Sequence, residues 1–179
     1  LTSGTSTDVY VAAGSDERLR EFSFVNEHAF VVLVASYDSI TGDETDTLRY
    51  IDVDSSISED LWAGQVESSA REGIETDSRK VAVSPDLGKV YMVDSTLMTN
   101  SVLRVFDLST YAELASVDNV THPAWVGNEN ILYRTMDTGG GIYLYSIADD
   151  TSTLVAELDA DALDLCFAAI GDGILSYNI

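Results

Sequence analysis

Four carboxylates crowd one nine-residue stretch, Asp38-Ser-Ile-Thr-Gly-Asp43-Glu44-Thr-Asp46, and they are the side chains best spaced for chemistry in this sequence. Calcium takes roughly six to eight oxygen ligands, and closely spaced acids on a loop can deliver them. Asp38, Asp43, Glu44 and Asp46 are therefore the candidate metal ligands. Their spacing departs from the EF-hand pattern of acids at alternate positions around a central glycine. A chain with 31 Asp and Glu also produces such clusters by composition, so a solvated acidic loop is the competing reading.

Other chemistries find less. His28 and His122 are the two histidines, too few for a histidine cluster and without metal-ligand spacing, and both are expected at hairpin starts or turns, exposed to solvent. No Gly-x-Ser-x-Gly elbow marks a nucleophile. Gly139-Gly-Gly141 is followed by neither a helix signal nor Lys-Ser/Thr, so it reads as a loop and not as a phosphate cradle. Cys166 is the one cysteine, set in the apolar run Leu165-Cys-Phe167, and reads as a small buried residue. With a single cysteine, neither an intramolecular disulfide nor a multi-cysteine metal site can form. Asn119-Val-Thr121 fits the glycosylation acceptor rule in an expected surface turn. No catalytic or cofactor residue is assigned, and a non-enzymatic role is the expectation.

The elements that must position these residues are strands. Four segments share a short apolar strand, a polar turn and a second apolar strand: 21–34, 80–93, 123–134 and 165–176. Aligning their second strands puts Tyr91, Tyr133 and Ser176 in register, at intervals of 42 and 43 residues. The step from Leu33 to Tyr91 is longer, so the first unit carries an insertion, which is assigned to the acidic stretch 38–46. Between the hairpins lie Thr47-Leu-Arg-Tyr-Ile-Asp-Val53, Val102-Leu-Arg-Val-Phe-Asp-Leu108 and Gly141-Ile-Tyr-Leu-Tyr-Ser-Ile147. Each is rich in β-branched and aromatic residues and is followed by a fourth short strand, at 61–66, 112–117 and 153–158. The best helical stretch, Glu67 to Thr76, is interrupted by Gly73 and is too short for a stable packed helix.

Four strands in about forty-two residues, repeated, is the spacing of a β-propeller blade. Ser84-Pro-Asp-Leu-Gly-Lys-Val-Tyr91, followed by Leu103-Arg-Val-Phe-Asp-Leu-Ser109, resembles the blade signature of YVTN-type and TolB-like propellers. The likeness is close over 80–118, partial over 122–158 and poor over 21–66, which lacks the Ser-Pro-Asp turn. The resemblance implies an all-β toroid of four-stranded antiparallel blades, often outside the cytoplasm, with no single chemistry attached.

The units fall at 21–66, 79–118 and 122–158, with a half unit at 163–179 that the strand 8–13 could complete. That gives about four blades in one domain or part of a larger propeller. A half ring that self-associates through its terminal strands is a further arrangement, because an open strand edge invites pairing. Trp62, Trp125, Tyr91, Tyr133, Tyr143 and Tyr145 recur at similar places and are expected to pack blade on blade.

Composition bounds the partners. Against 31 acids stand 9 Lys and Arg, for a net charge of -22, which repels nucleic-acid phosphates and anionic lipid surfaces. Asp outnumbers Glu by 20 to 11 and only Lys80 and Lys89 are lysines; high-salt habitats and secreted low-salt proteins both fit this balance. An apolar content of 45% argues against disorder, and the longest apolar run, 29–35, is far too short to span a membrane. The first residue, Leu1, leads a polar stretch, as after removal of a signal peptide. The expectation is an extracellular or periplasmic scaffold whose loops recognise a protein or cell-surface ligand. Two alternatives stand beside it: a hydrolase or lyase acting on a sugar or lactone with a metal-assisted site at the ring mouth, and a structural subunit of a surface assembly.

Overall fold

A computed structural model of the chain describes residues 16–66, 80–97, 100–135, 140–157, 165–170 and 173–178. The described residues are all-β. The first sheet takes its strands in chain order: β1 (Glu17–Phe24), β2 (Ala29–Tyr37), β3 (Glu44–Asp52) and β4 (Ile57–Val66). The second holds β5 (Val81–Val83), β6 (Lys89–Leu97), β7 (Asn100–Asp107) and β8 (Glu113–Asp118). The third holds β9 (Val120–Val126), β10 (Asn130–Thr135), β11 (Gly141–Ser146) and β12 (Thr151–Glu157). A two-stranded sheet, β13 (Leu165–Ile170) with β14 (Gly173–Asn178), follows. Among the described residues every pairing is antiparallel between consecutive strands, so each of the first three sheets is a four-stranded meander.

Several expectations need correction. Glu44 and Asp46 belong to β3, so the loop in the first sheet is shorter than the acidic stretch suggested. Most of the extra length of the first unit lies between β4 and β5, which end and start at Val66 and Val81. The equivalent link between β8 and β9 is Asn119 alone. β1 starts at Glu17, ahead of the expected Glu21. The helical candidate 67–76 and the strand 8–13 lie outside the described residues.

Strand β2 explains the layering. Its residues Ala29 to Ala35 are all buried, without the alternation of a sheet with one wet face. A strand buried on both sides is what a blade stacked between neighbours requires. Val31 and Leu33 point to the second sheet and join Leu48, Val90, Met92 and Phe106 in one core. Phe30, Val32 and Val34 point the other way and form a separate cluster with Ile51. Between the second and third sheets a further core gathers Tyr91, Leu103, Val105, Trp125, Ile131 and Tyr145. Full burial of one such side chain contributes about 1.5–3 kcal/mol, so these inter-sheet layers dominate the favourable energy.

The expected aromatic packing is present. Tyr91 and Trp125 lie 5.6 Å apart across the second and third sheets, whereas Tyr133 stacks on Tyr143 at 5.5 Å within the third sheet. The Tyr91 hydroxyl donates to the Pro123 carbonyl at 2.8 Å. Trp62 packs against the first inter-sheet core and lies under the Arg104 guanidinium, 5.7 Å from its ring. Gly64 makes that placement possible, because a Cβ there would come within 2.4 Å of the Trp62 ring.

The turns repeat as the strands do. After β3, Asp52 Oδ1 accepts the amides of Asp54 and Ser55; after β7, Asp107 Oδ1 accepts those of Ser109 and Thr110 at 2.8 Å. After β11 the equivalent residue is Ser146, whose hydroxyl donates to Asp149. Four residues beyond each of these caps the backbone enters the left-handed region, at Ser56, Tyr111 and Asp150 with φ of 57°, 60° and 52°. A non-glycine residue there costs on the order of 1–2 kcal/mol, which the side-chain caps help to offset.

Candidate functional site

The antiparallel meander sends the β2–β3 connection to one end of the first sheet and the β1–β2 and β3–β4 turns to the other. Residues 38–43 make up that connection, and local bonding fixes their shape. Asp38 Oδ1 accepts the amides of Ile40 at 2.8 Å and Thr41 at 3.2 Å. The Gly42 amide donates to the Asp38 carbonyl at 2.8 Å, and the Asp38 amide donates to the Asp43 carbonyl at the same distance. Gly42 has φ 78°, a left-handed position that glycine takes without strain. These backbone donors hold the Asp38 carboxyl below the usual carboxylate range.

This knot projects Ile40 into solvent at 93% exposure, beside a half-exposed Tyr37. Between them and the strand ends opens a cleft of about 560 Å³, lined among others by Asp16, Tyr37, Asp38, Ile40, Asp43 and Gln65. Its wall mixes an aromatic ring, a branched aliphatic side chain, carboxylates and an amide. Such a mixture suits a polypeptide ligand, which offers both backbone donors and apolar side chains.

The four acids proposed as calcium ligands divide in two. Asp38 and Asp43 line the cleft. Glu44 and Asp46, on β3, turn to arginines of β1. The Arg20 Nε donates to Asp46 at 2.8 Å while its terminal nitrogen bonds Glu44, and Arg18 reaches Glu44 at 3.2 Å. Glu44 is almost fully buried, so these guanidinium groups supply its counter-charge. Burial raises the Asp46 carboxyl, against the pull of Arg20. Burial likewise lowers the ammonium of Lys80, with Arg20 adding to the effect. The Lys80 amide donates to Glu21 at 2.9 Å and ties the second sheet to β1. Among the described residues no group of three or more His, Cys, Asp or Glu side chains is placed to hold a metal ion.

The histidines stand apart from the cleft. His28 sits in the β1–β2 turn between Glu27 and Asp54. His122 lies within β9, not in a turn, with a left-handed φ of 51°. Cys166 falls on β13.

At the opposite end, turns of neighbouring sheets are bonded at equivalent places. The Asp86 amide donates to Asn128 Oδ1, 42 residues on, and Lys89 pairs with Glu129 at 2.6 Å. Ser84 and Asp86 form the Ser-Pro-Asp turn, with the Ser84 hydroxyl donating to Asp86 at 2.7 Å. Three four-stranded meanders, stacked face to face with contacts at a forty-two-residue period, fix the architecture. The fold is a β-propeller.

Comparison with known proteins agrees on the architecture and goes no further. No family model matches the chain, and no curated protein matches it. Among solved structures the chain is similar to a prolyl endopeptidase, with a TM-score of 0.62 and 16% identity over 92% of this chain and 26% of that one. It is also similar to the acylaminoacyl peptidase of Pyrococcus horikoshii, at TM-score 0.61 and 10% identity over 89% of this chain and 28% of that one. The β-propeller domain of the Trilobed protease from Pyrococcus furiosus, which has an open velcro topology, matches at TM-score 0.53 and 11% identity. That match covers 80% of this chain and 43% of the other. The chain thus spans about a quarter of the length of the two peptidases and under half of the isolated propeller domain. Sequence likeness this low speaks to the fold alone.

Proposed function

We propose that this chain is a recognition module and not an enzyme, and that it takes a polypeptide ligand of a protein or cell-surface partner at the Tyr37–Ile40 end of the first sheet. One observation carries the reading: the Asp38-capped loop holds a bare isoleucine rigidly beside a tyrosine at the mouth of a cleft. A large apolar side chain on a loop whose backbone is already ordered loses little entropy on binding, and such anchors carry most interface energy. The acidic surroundings favour a ligand with basic residues around its apolar contact. An extracytoplasmic setting belongs to this reading on the strength of the blade resemblance.

The test is selection from a random peptide library displayed on phage, with the whole chain immobilised, followed by binding measurements on synthetic copies of the enriched peptides. Enriched peptides should bind the native chain and lose at least about tenfold in affinity on Ile40→Asp, since a buried anchor is worth 1.4 kcal/mol or more. No enrichment, or peptides indifferent to Ile40→Asp, would overturn the proposal. Release of p-nitroaniline from a panel of peptide p-nitroanilides, abolished by no contaminant inhibitor, would replace it with a hydrolase.

A further inference from the structure

Three residues that line the cleft form a single rung of the first sheet. Ser36 on β2 pairs with Thr45 on β3, and Thr45 pairs with Gln65 on β4. Directly paired residues share a face, so the three side chains stand in a row, and all three line the cleft. Glu17 of β1 continues the row at one end. Ser36 and Thr45 are half-buried and Gln65 is exposed. Among the described residues their hydroxyl and carboxamide groups have no hydrogen-bond partner.

The second sheet fills the same rung differently. Asp94 stands three residues beyond Tyr91, as Ser36 stands three beyond Leu33, and it pairs with Val102, which pairs with Asp118. Asp94 is buried and bonded to Arg104 at 3.1 Å. There the first acid is tied into the packing. In the first sheet the rung offers its bonding groups to a cleft.

The chemistry of the rung selects a ligand. A hydroxyl and a carboxamide each donate and accept, so they can meet an amide N–H or a carbonyl oxygen alike. From Ser36 to Gln65 the rung crosses two strand gaps, about 9.5 Å, which is the length of about three extended residues. A ligand that dried these groups without bonding them would lose their hydration for nothing, which excludes a purely apolar occupant. Asp16, Asp38 and Asp43 line the same cleft and no cation does, so charge complementarity calls for a basic side chain.

Given that the cleft takes a polypeptide, we infer that Ser36, Thr45 and Gln65 bind the ligand's main chain. An extended segment crosses β2, β3 and β4 along this rung, its amides and carbonyls bonded to the three side chains. A lysine or arginine of the segment turns to Asp38 and Asp43. Ile40 and Tyr37 then read an apolar side chain, while the rung holds the backbone whatever its sequence.

The experiment extends the phage selection to synthetic copies of the peptides enriched on the native chain. Their affinities are measured for the native chain, for Ile40→Asp and for Thr45→Val/Gln65→Leu, which keeps side-chain shape and removes two polar groups of the rung. The peptides should carry Lys or Arg and bind the double variant at least about tenfold more weakly. N-methylation of one backbone amide in the bound segment should weaken native binding by a similar factor. It should cost the double variant much less, because the two changes remove the same bond. A native circular dichroism spectrum qualifies the double variant; if it does not fold, Gln65→Leu at the exposed end of the rung takes its place. Peptides that need Ile40 yet bind the rung variant like the native chain, or that tolerate N-methylation at every position, overturn this inference and leave the recognition reading standing. No enrichment on the native chain overturns both.

Discussion

The indole N–H of Trp125 donates to the carbonyl of Ala82, 43 residues earlier, at 2.9 Å. One bond thus joins the first strand of the third sheet to the first strand of the second, and it stands beside the Tyr91–Trp125 ring contact in the shared core. Replacing Trp125 by Phe keeps most of the apolar volume but leaves that carbonyl without its indole donor. The expected loss is about 1–3 kcal/mol. Urea unfolding should show a lower midpoint with an unchanged m value, since the surface exposed on unfolding is the same.

Trp62 and Gly64 make a second test of packing. Glycine at 64 leaves room for the indole ring, and a methyl group there would collide with it. Gly64→Ala should displace the ring from beneath Arg104 and destabilise the fold by about 1–3 kcal/mol, the usual range for overpacking. A melting curve for the variant, compared with Gly64→Ala in a Trp62→Leu background, separates the collision from the intrinsic effect of alanine. The penalty should shrink when the ring is absent.

Turn chemistry makes a prediction with a sign. Hydrogen bonds from Ser109 and the Thr110 amide hold the Asp107 carboxyl down at about 2. An unfolded aspartate titrates near about 3.9, so the folded state binds the carboxylate form better. The stabilisation is present above about pH 4 and is lost as the pH falls through about 2. Asp107→Ala should therefore lower the melting temperature at pH 7 and do so progressively less between pH 4 and 2. Asp107→Asn, which keeps an acceptor oxygen, should lose less at pH 7.

Calcium should do little. Glu44 and Asp46 are engaged by Arg18 and Arg20, which leaves Asp38 and Asp43 as the pair facing the cleft. Two carboxylates supply at most about four of the roughly six to eight oxygens calcium takes, so carbonyls or waters would have to complete the shell and binding should be weak. Adding millimolar calcium, or removing it with a chelator, should move the melting temperature by less than about 1 °C, as expected for a ligand without a site. A larger rise that Asp38→Asn or Asp43→Asn abolishes would restore the four acids as a metal site.

Sodium chloride should do more. Self-repulsion among 31 acids weakens the compact state, and added salt screens it. The melting temperature should rise by several degrees between about 0.05 and about 2 M salt, and a flat profile would remove the high-salt reading of the composition.

The strands could be read from the sequence because each carries its own evidence. Val102 to Phe106 is apolar but for Arg104 and is followed by the turn-capping Asp107, and a similar pattern stands at Thr47 to Val53, so strand residues and turn chemistry agree. The misplaced insertion has a physical cause as well. Both the 38–46 stretch and the segment after Val66 are polar, and nothing local tells which one lengthens a blade and which one links two. The acidic cluster could be seen, but its partners could not. Arg18 lies 26 residues before Glu44, Arg20 lies 24 before Glu44 and 26 before Asp46, and strand register, with a bulge between Leu19 and Glu21, brings them together. The Ile40 and Tyr37 surface was also missed, since an isoleucine in a loop shows nothing of its exposure in sequence. The Asp-Ser-Ile-Thr-Gly pattern around it, an Asx turn closed by glycine, was the available signal.

The one-residue link at Asn119 has a mechanical meaning. The link between β4 and β5, bounded by Val66 and Val81, is much longer in sequence. Between β8 and β9 there is no slack at all, so tension passes straight from the outer edge of one sheet to the inner strand of the next. The second and third sheets would then bear a load as a single unit.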